Sequence, residues 1–238
     1  MGIREAISAG MASIPTRLDL LPKVVSSVID QVDRLYIFLN HYSEIPLCLK
    51  SGKIEIFRSQ DHGNQSARGK FWQCEKISGY FFTLDDDIFY PHDYVKRMVS
   101  QIEVYKRRAL LGVYAESFKG KDITNFYNSA QKKKYALNAA LEKDAPVHII
   151  GTGTLAYHTD AIRLKLSVFK TIGGVDAWLA IAAQQMKVPM ITIARPINWL
   201  TTPKRNISDS IFAQRRRFDE AITPEIKKLM PWKLWEIK

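Results

Sequence analysis

Three consecutive aspartates, Asp85, Asp86 and Asp87, end an apolar run that begins at Gly79. The run 79–84 contains aromatic residues and a threonine, which is typical of a buried β-strand. Alternate side chains of an extended chain point the same way, so Asp85 and Asp87 can share a face. Adjacent carboxylates repel one another, and a divalent cation with oxygen ligands offsets that repulsion. The triplet therefore predicts a cation site, with a solvated acidic turn as the alternative.

The aspartates are followed by the signals of a helix. Pro91 and Asp93 suit a helix N-terminus, and apolar residues then recur at helical spacing: Tyr94, Val95, Met98, Val99 and Ile102. The aspartates 85–87 form an acidic corner between the strand and the helix. This order places their carboxylates at the carboxyl edge of a sheet. In open α/β sheets, ligands bind at that edge.

Strand-like and helix-like segments alternate through the first half of the chain. This rhythm predicts an α/β fold with a mostly parallel central sheet and helices on both faces. The predicted strands are 7–13, 35–39, 54–57, 80–84, 110–114, 147–150 and 188–194, with 155–157 also extended. The predicted helices are 18–32, 66–77, 93–105, 176–186 and 208–218. The basic segment 119–144 fits either a hairpin or a helix with a loop.

Length and composition indicate the domain organisation and the cellular location to expect. With 238 residues and 46% hydrophobic composition, the chain can bury a sizeable core. We expect one domain, 1–205, followed by a basic, Trp-containing appendage, 206–238. Cys48 and Cys74 fit no metal-ligand spacing and need no disulfide. The N-terminus has no signal-peptide core, and no apolar run approaches the ~20 residues that span a bilayer, so we expect a cytoplasmic protein.

The net charge of +11 predicts an anionic partner, such as nucleic acid, phosphates or an acidic membrane surface. Lys132, Lys133 and Lys134 hold part of the excess, and a solvated face is their simplest interpretation. Basic residues near Trp232 and Trp235 resemble an interfacial anchor at the inner membrane face, although these tryptophans could equally dock on the domain itself. We expect no nucleic acid partner, because the aspartates would repel its phosphates and no recognition motif is present.

The order of these segments resembles nucleotide-sugar transferases of the GT-A fold, and more narrowly the inverting glycosyltransferase family 2. The resemblance runs from about Met11 to Leu200. Its most specific part is the polar loop 61–70, then a helix with a basic start, then the strand ending in Asp-x-Asp. The segments Gly-Thr-Gly-Thr at 151–154 and Asp-Ala-Trp-Leu-Ala at 176–180 resemble the bacterial polysaccharide-building members. The resemblance implies a Rossmann-like fold and metal-dependent sugar transfer to a glycan or lipid-linked acceptor. The expected donor is a UDP-sugar.

The resemblance also implies a role for each matching residue. The residues that would bind the nucleotide sugar are Pro15, Thr16, Arg17, Asp61, Arg68, Lys70, Asp85, Asp86 and Gly153. Mn²⁺ or Mg²⁺ would be bound by Asp87 and Asp85. Asp176 would be the catalytic base, with a helix N-cap as its alternative role. Relatives often add a later His or Asp ligand; no histidine follows His158, so Asp209 or water is the candidate.

The chemistry of sugar transfer requires groups of these types. Negative charge builds on the leaving diphosphate, where a divalent ion acts as a Lewis acid, and a base takes the proton of the acceptor hydroxyl. A Mg²⁺-dependent nucleotidyltransferase is the alternative, although its carboxylates usually come from separated strands. Gly151, Gly153 and Ala156 match a dinucleotide fingerprint, but that motif needs a helix directly after its glycines. Because 155–158 looks extended, a nicotinamide site is disfavoured.

Overall fold

The computed structural model describes residues 5–203 and 216–236. Over these residues the strands are β1 Ile7–Ser13, β2 Arg34–Leu39, β3 Ile54–Arg58, β4 Tyr80–Asp85, β5 Leu110–Gly112, β6 Ala115–Phe118, β7 Lys132–Tyr135, β8 Ala145–Pro146, β9 Ile149–Ile150, β10 Thr154–His158 and β11 Met190–Thr192. The α-helices are α1 Leu21–Val28, α2 Ser59–His62, α3 Tyr94–Val104, α4 Val175–Met186 and α5 Arg216–Lys227.

The central sheet has eight strands in the order β3-β2-β1-β4-β10-β5-β11-β8. Strands β1 to β4 pair in parallel, as do β5 and β11, whereas β10 runs antiparallel to both of its neighbours and β8 antiparallel to β11. The α/β class is confirmed, but the sheet is mixed and the expectation of a mostly parallel sheet is not. Composition predicts that 155–157 is extended without indicating its direction. The direction is set by pairing with β4 and β5, which are distant from β10 in the sequence.

Side chains that alternate along the strands fill two hydrophobic clusters, one on each face of the sheet. Phe81 packs in one cluster with Tyr157, and its neighbour Phe82 packs in the other with Ala156. Helices α4 and α5 contribute to the cluster of Phe81, and α1 and α3 to that of Phe82. Because both faces are covered, the central strands β1, β4 and β10 are buried along nearly their whole length.

The segment predicted as a helix over 66–77 is helical only in part. A 3-10 helix covers Ser66–Phe71, and turns follow it. This short helix lies directly on β1 and β2, because a Cβ at Gly69 would lie 2.7 Å from Cβ of Phe38 and one at Gly10 would lie 3.0 Å from the carbonyl carbon of Lys70. Only glycine permits so close an approach of two backbones. The contact holds Lys70 against the carboxyl edge of the sheet.

A second, three-stranded sheet has the order β7-β6-β9. Strands β6 and β7 form an antiparallel pair, so the segment 119–144 contains the return of a hairpin rather than a long helix. The lysine triplet begins β7. This small sheet adjoins the carboxyl edge of the large one, since β9 leads through the turn 151–153 into β10.

The C-terminal segment packs on the domain. Helix α5 contacts α4, Trp232 is buried and donates from Nε1 to the carbonyl of Ile226 at 3.1 Å, and Nε1 of Trp235 donates to Oε1 of Gln184 at 2.7 Å. Both tryptophans therefore contact protein, and binding of an anionic membrane through basic residues stays a prediction. The start of the helix predicted at 208–218 and Asp209 lie outside the described residues. None of the described helices is long and apolar enough to cross a membrane.

Candidate active site

The carboxyl ends of β1, β2 and β4 border a cavity of about 310 Å³. Parallel pairing puts Ala12 beside Asp85 and Ser13 beside Leu39, so the chain leaves three neighbouring strands at one edge. The acidic and basic side chains that line the cavity are Arg17, Lys70, Asp85, Asp86, Asp87 and Asp176. The structure thus brings together six of the residues that the sequence predicts for the site.

Five predicted nucleotide-sugar contacts do not line this cavity: Pro15, Thr16, Asp61, Arg68 and Gly153. Asp61 is exposed on α2. The Arg68 guanidinium donates to Oε1 of Gln65 and to the carbonyl of Phe169, so it joins two loops. Side chains two positions apart on a helix point to different sides, which is why Arg68 and Lys70 do not both face the cavity.

Lys70 is a fixed positive charge inside the cavity. Its side chain is buried, and its ammonium group is ion-paired with Asp85. Burial disfavours the charge, but Asp85, with Asp176 and Asp86 nearby, outweighs it and raises the pKa of Lys70 above its ordinary value. Lys70 therefore stays protonated and compensates the carboxylates around it.

Arg17 holds the other end of the acidic triplet. Its Nη2 lies 3.1 Å from Oδ2 of Asp87, and its Nε lies 4.0 Å from Oδ1 of Asp86. Asp86 is only 9% exposed, and its Oδ2 has no hydrogen-bond partner within the described part of the chain. Burial, reinforced by Asp87 and Asp85, raises the pKa of Asp86 to about 7 against the opposing effects of Ser13 and Arg17.

This raised pKa predicts that the contribution of Asp86 to the stability of the cation-free protein is lost as pH rises from about 4 to about 7. In that window native Asp86 holds a proton that the unfolded chain has released, so each rise in pH favours unfolding. The contribution is at most about 4 kcal/mol. Urea unfolding in the presence of chelator at about pH 5 and about pH 8 measures the slope, which Asp86→Asn should flatten. The exposed Asp61→Asn should keep it; an unchanged slope in Asp86→Asn would refute the assignment.

Asp176 reaches from the start of α4 to the turn that precedes β10. Its Oδ1 accepts hydrogen bonds from the backbone N–H of Thr152 at 2.8 Å and from the Thr152 hydroxyl at 2.6 Å. The N-cap of α4 is Gly174, so Asp176 does not take the alternative role of N-cap. Burial raises the pKa of Asp176, while Thr152 and Lys70 oppose the rise. A carboxylate of raised pKa beside a cavity is suited to accept a proton.

Two hydroxyl groups fasten the turn 151–153 to the acidic corner. Tyr90 donates to the carbonyl of Gly153 at 2.7 Å and accepts from the backbone N–H of Asp85 at 2.9 Å. Thr83 donates to the carbonyl of Thr152 at 2.5 Å. Sequence reasoning missed Tyr90 and Thr152 as site residues, although both lie in segments that it singled out. Because the strand β10 follows the turn directly, the helix required by a dinucleotide fingerprint is absent there.

Replacing Gly153 by alanine should disturb the acidic corner. An added Cβ would lie 2.5 Å from Cγ of Asp85, so this carboxylate, which is ion-paired with Lys70, would have to shift. We expect a loss of about 1–3 kcal/mol in the free energy of unfolding, measured with urea. Gly52→Ala is the matched control, since its Cβ would meet nothing within 4 Å. Equal stability of the two variants would show that Gly153 does not confine Asp85.

A second cavity of about 320 Å³ adjoins the first. Residues that line both cavities are Asp85, Phe126, Tyr127, Thr152 and Asp176. Asp176 therefore lies at the boundary between them. The predicted Gly153 lines the second cavity, together with residues of β6 and β7 that the sequence did not point to: Glu116, Lys132 and Lys134.

The acidic corner fits a divalent cation that arrives with a ligand. Among residues 5–203 and 216–236, no group of three or more His, Cys, Asp or Glu is arranged to hold a metal ion alone. Asp85 and Asp87 nevertheless both line the first cavity and offer the oxygen donors that Mg²⁺ and Mn²⁺ prefer. Mg²⁺ needs only one or two carboxylates when phosphates and waters complete its shell. Asp209, the candidate third ligand, lies outside the described residues.

Comparison with models of known protein families gave no match, and comparison with curated proteins gave none either.

Proposed function

We propose that this protein is a cation-dependent, inverting glycosyltransferase. It would move a sugar from a nucleoside diphosphate sugar, with a UDP-sugar as the first candidate, to a hydroxyl of a glycan or of a lipid-linked acceptor. The observation that carries the proposal is the position of Asp176, a carboxylate of raised pKa at the boundary of two adjoining cavities and near the acidic corner. A two-substrate transfer needs two adjoining sites with a base between them. The resemblance to GT-A transferases supports the same function.

The charge of the first cavity favours cation dependence. Four carboxylates and two basic side chains line it, so a diphosphate entering alone would meet net negative charge. Mn²⁺ or Mg²⁺ bound by Asp85 and Asp87 would offset that charge and act as a Lewis acid on the phosphates. Lys70 and Arg17 add the positive charge that the chain itself brings to the leaving group.

Asp176 would act on the acceptor hydroxyl. Both hydrogen bonds from Thr152 use Oδ1, so Oδ2 is the oxygen suited to take the proton. As the proton leaves, the hydroxyl oxygen bonds to the anomeric carbon, and the bond from that carbon to the diphosphate oxygen breaks. Its electron pair goes to the diphosphate. Attack from the second cavity on a sugar whose leaving group lies in the first gives inversion.

A thermal-shift screen of nucleotides and nucleotide sugars, with and without Mn²⁺, tests the proposal. A ligand at a hundredfold excess over its Kd adds about 2.7 kcal/mol of stability, and each kcal/mol raises the Tm by roughly 2–4 °C. We expect a Mn²⁺-dependent shift with uridine ligands. A shift with another base alone would change the donor, and no shift with any nucleotide would refute the function. Release of pyrophosphate instead of a nucleoside diphosphate would favour the nucleotidyltransferase alternative.

A further inference from the structure

Strand β7 separates the three consecutive lysines by the face on which each one lies. Lys132 and Lys134 line the second cavity, whereas Nζ of Lys133 lies 4.8 Å from the centroid of the Tyr135 ring, outside it. This separation follows from the alternation of side chains along an extended strand. The interpretation of the triplet as a solvated face therefore fails for the buried Lys132, whereas Lys133 and Lys134 are both exposed and only Lys134 of these two lines the cavity.

The charges of the two cavity lysines are not equally compensated. The buried carboxylate of Glu116 pairs through Oε2 with Lys132, whose Nζ also lies 4.3 Å from the centroid of the Phe126 ring. Oε1 of Glu116 accepts a hydrogen bond from the Tyr114 hydroxyl at 2.8 Å. Nζ of Lys134 lies 3.9 Å from that same oxygen, and its side chain is 47% exposed. Lys132 is thus held and neutralised, while Lys134 presents its charge at the cavity.

The remaining lining suits a sugar. The rings of Tyr114, Phe126 and Tyr127 border the cavity, and Asp176 lies at its boundary with the first. Pockets for small molecules combine such aromatic surface with a few placed polar groups. Lys134 is the group among these whose charge a neutral sugar would leave unused.

We propose that the second cavity binds the acceptor, and that Lys134 recognises an anionic group carried by the acceptor near its reacting hydroxyl. This inference rests on the proposed function, because it assigns the donor to the first cavity. A carboxylate of an acidic sugar and a phosphate on a sugar or lipid-linked acceptor share the required chemistry. Either would form a charge-assisted hydrogen bond with the ammonium group.

Binding of three small probes tests this assignment. The probes are phenyl glucoside, phenyl glucuronide and phenyl glucoside 6-phosphate, titrated by ligand-observed NMR into protein containing UDP and Mg²⁺. We expect the two anionic probes to bind about fivefold to tenfold tighter than the neutral one. Lys134→Ala should remove that preference, and Lys133→Ala, with the same change in net charge, should retain it. The tighter anionic probe identifies carboxylate or phosphate as the recognised group.

Two results would overturn the acceptor inference. One is equal binding of all three probes to the parent protein; the other is the same loss in both lysine variants, which would reflect net charge alone. Thermal shifts with UDP on the same samples separate this failure from failure of the proposed function. A normal UDP shift without any effect of Lys134 defeats only the acceptor inference, whereas no shift with any nucleotide defeats both.

Discussion

Replacing Asp176 by asparagine should lower the rate of sugar transfer by about 10²–10⁴-fold while nucleotide binding is retained. The asparagine oxygen can still accept the two hydrogen bonds that Thr152 donates to Oδ1, so the turn 151–153 keeps its place. The lost property is the ability to take a proton. Release of nucleoside diphosphate at saturating donor and acceptor, compared between parent and variant, measures the effect.

Two further variants separate a base from a merely structural carboxylate. Thr152→Val removes a hydroxyl that donates at 2.6 Å to Asp176 and favours its charged form. The pKa of Asp176 should therefore rise further, and the fall in rate at acid pH should begin at a higher pH. Asp61→Asn, the same chemical change at an exposed position, should leave the rate unaltered. Full activity of Asp176→Asn would remove the base from the proposed mechanism.

Replacing Asp87 by asparagine should abolish the gain in nucleotide binding that a divalent cation gives to the parent protein. With Mn²⁺ present we expect UDP to bind at least about 10–100-fold more weakly than to the parent, because a charged oxygen ligand is lost. With chelator present we expect equal or tighter binding than in the parent. The variant removes one negative charge and frees Arg17, now 3.1 Å from Asp87, to contact phosphate.

The variant is thus expected to bind UDP more weakly than the parent with Mn²⁺ but not with chelator. This difference between the two conditions distinguishes loss of a cation ligand from general damage to the site. A damaged cavity would bind UDP more weakly with and without Mn²⁺. Urea unfolding of Asp87→Asn in chelator checks that the variant is folded, and Asp61→Asn is again the matched control. Parent-like affinity of Asp87→Asn in Mn²⁺ would exclude Asp87 as a cation ligand.

The acidic triplet was predicted from local sequence, because Asp85 follows an apolar run of strand composition. The resemblance to GT-A transferases, together with their positions after the first strand and at a helix start, indicated Arg17 and Asp176. Arg17 and the triplet meet because β1 pairs in parallel with β4, whereas Asp176 joins them through its hydrogen bonds with Thr152 in the turn before β10.

The second cavity could not be predicted in the same way. Its charged residues, Glu116 and Lys132, meet only because β6 and β7 pair across a segment that fitted two different structures. The direction of β10 depends on contacts distant in sequence, such as the bond from Tyr90 to Gly153. Arg68 does not line the first cavity, because the basic composition of a helix start does not show which of its side chains faces that cavity.

The most direct test of whether the acidic corner and a cation together hold the donor is calorimetric titration of UDP. The titration uses the parent protein, Asp176→Asn and Asp87→Asn, each with Mn²⁺ and with chelator. We expect Mn²⁺ to tighten UDP binding in the parent and in Asp176→Asn, and this gain to disappear in Asp87→Asn. Cation-dependent binding of UDP would be contradicted if all three proteins bound UDP with the same affinity in both conditions, or if none bound it. Either result would mean that the first cavity does not bind a nucleotide through a cation.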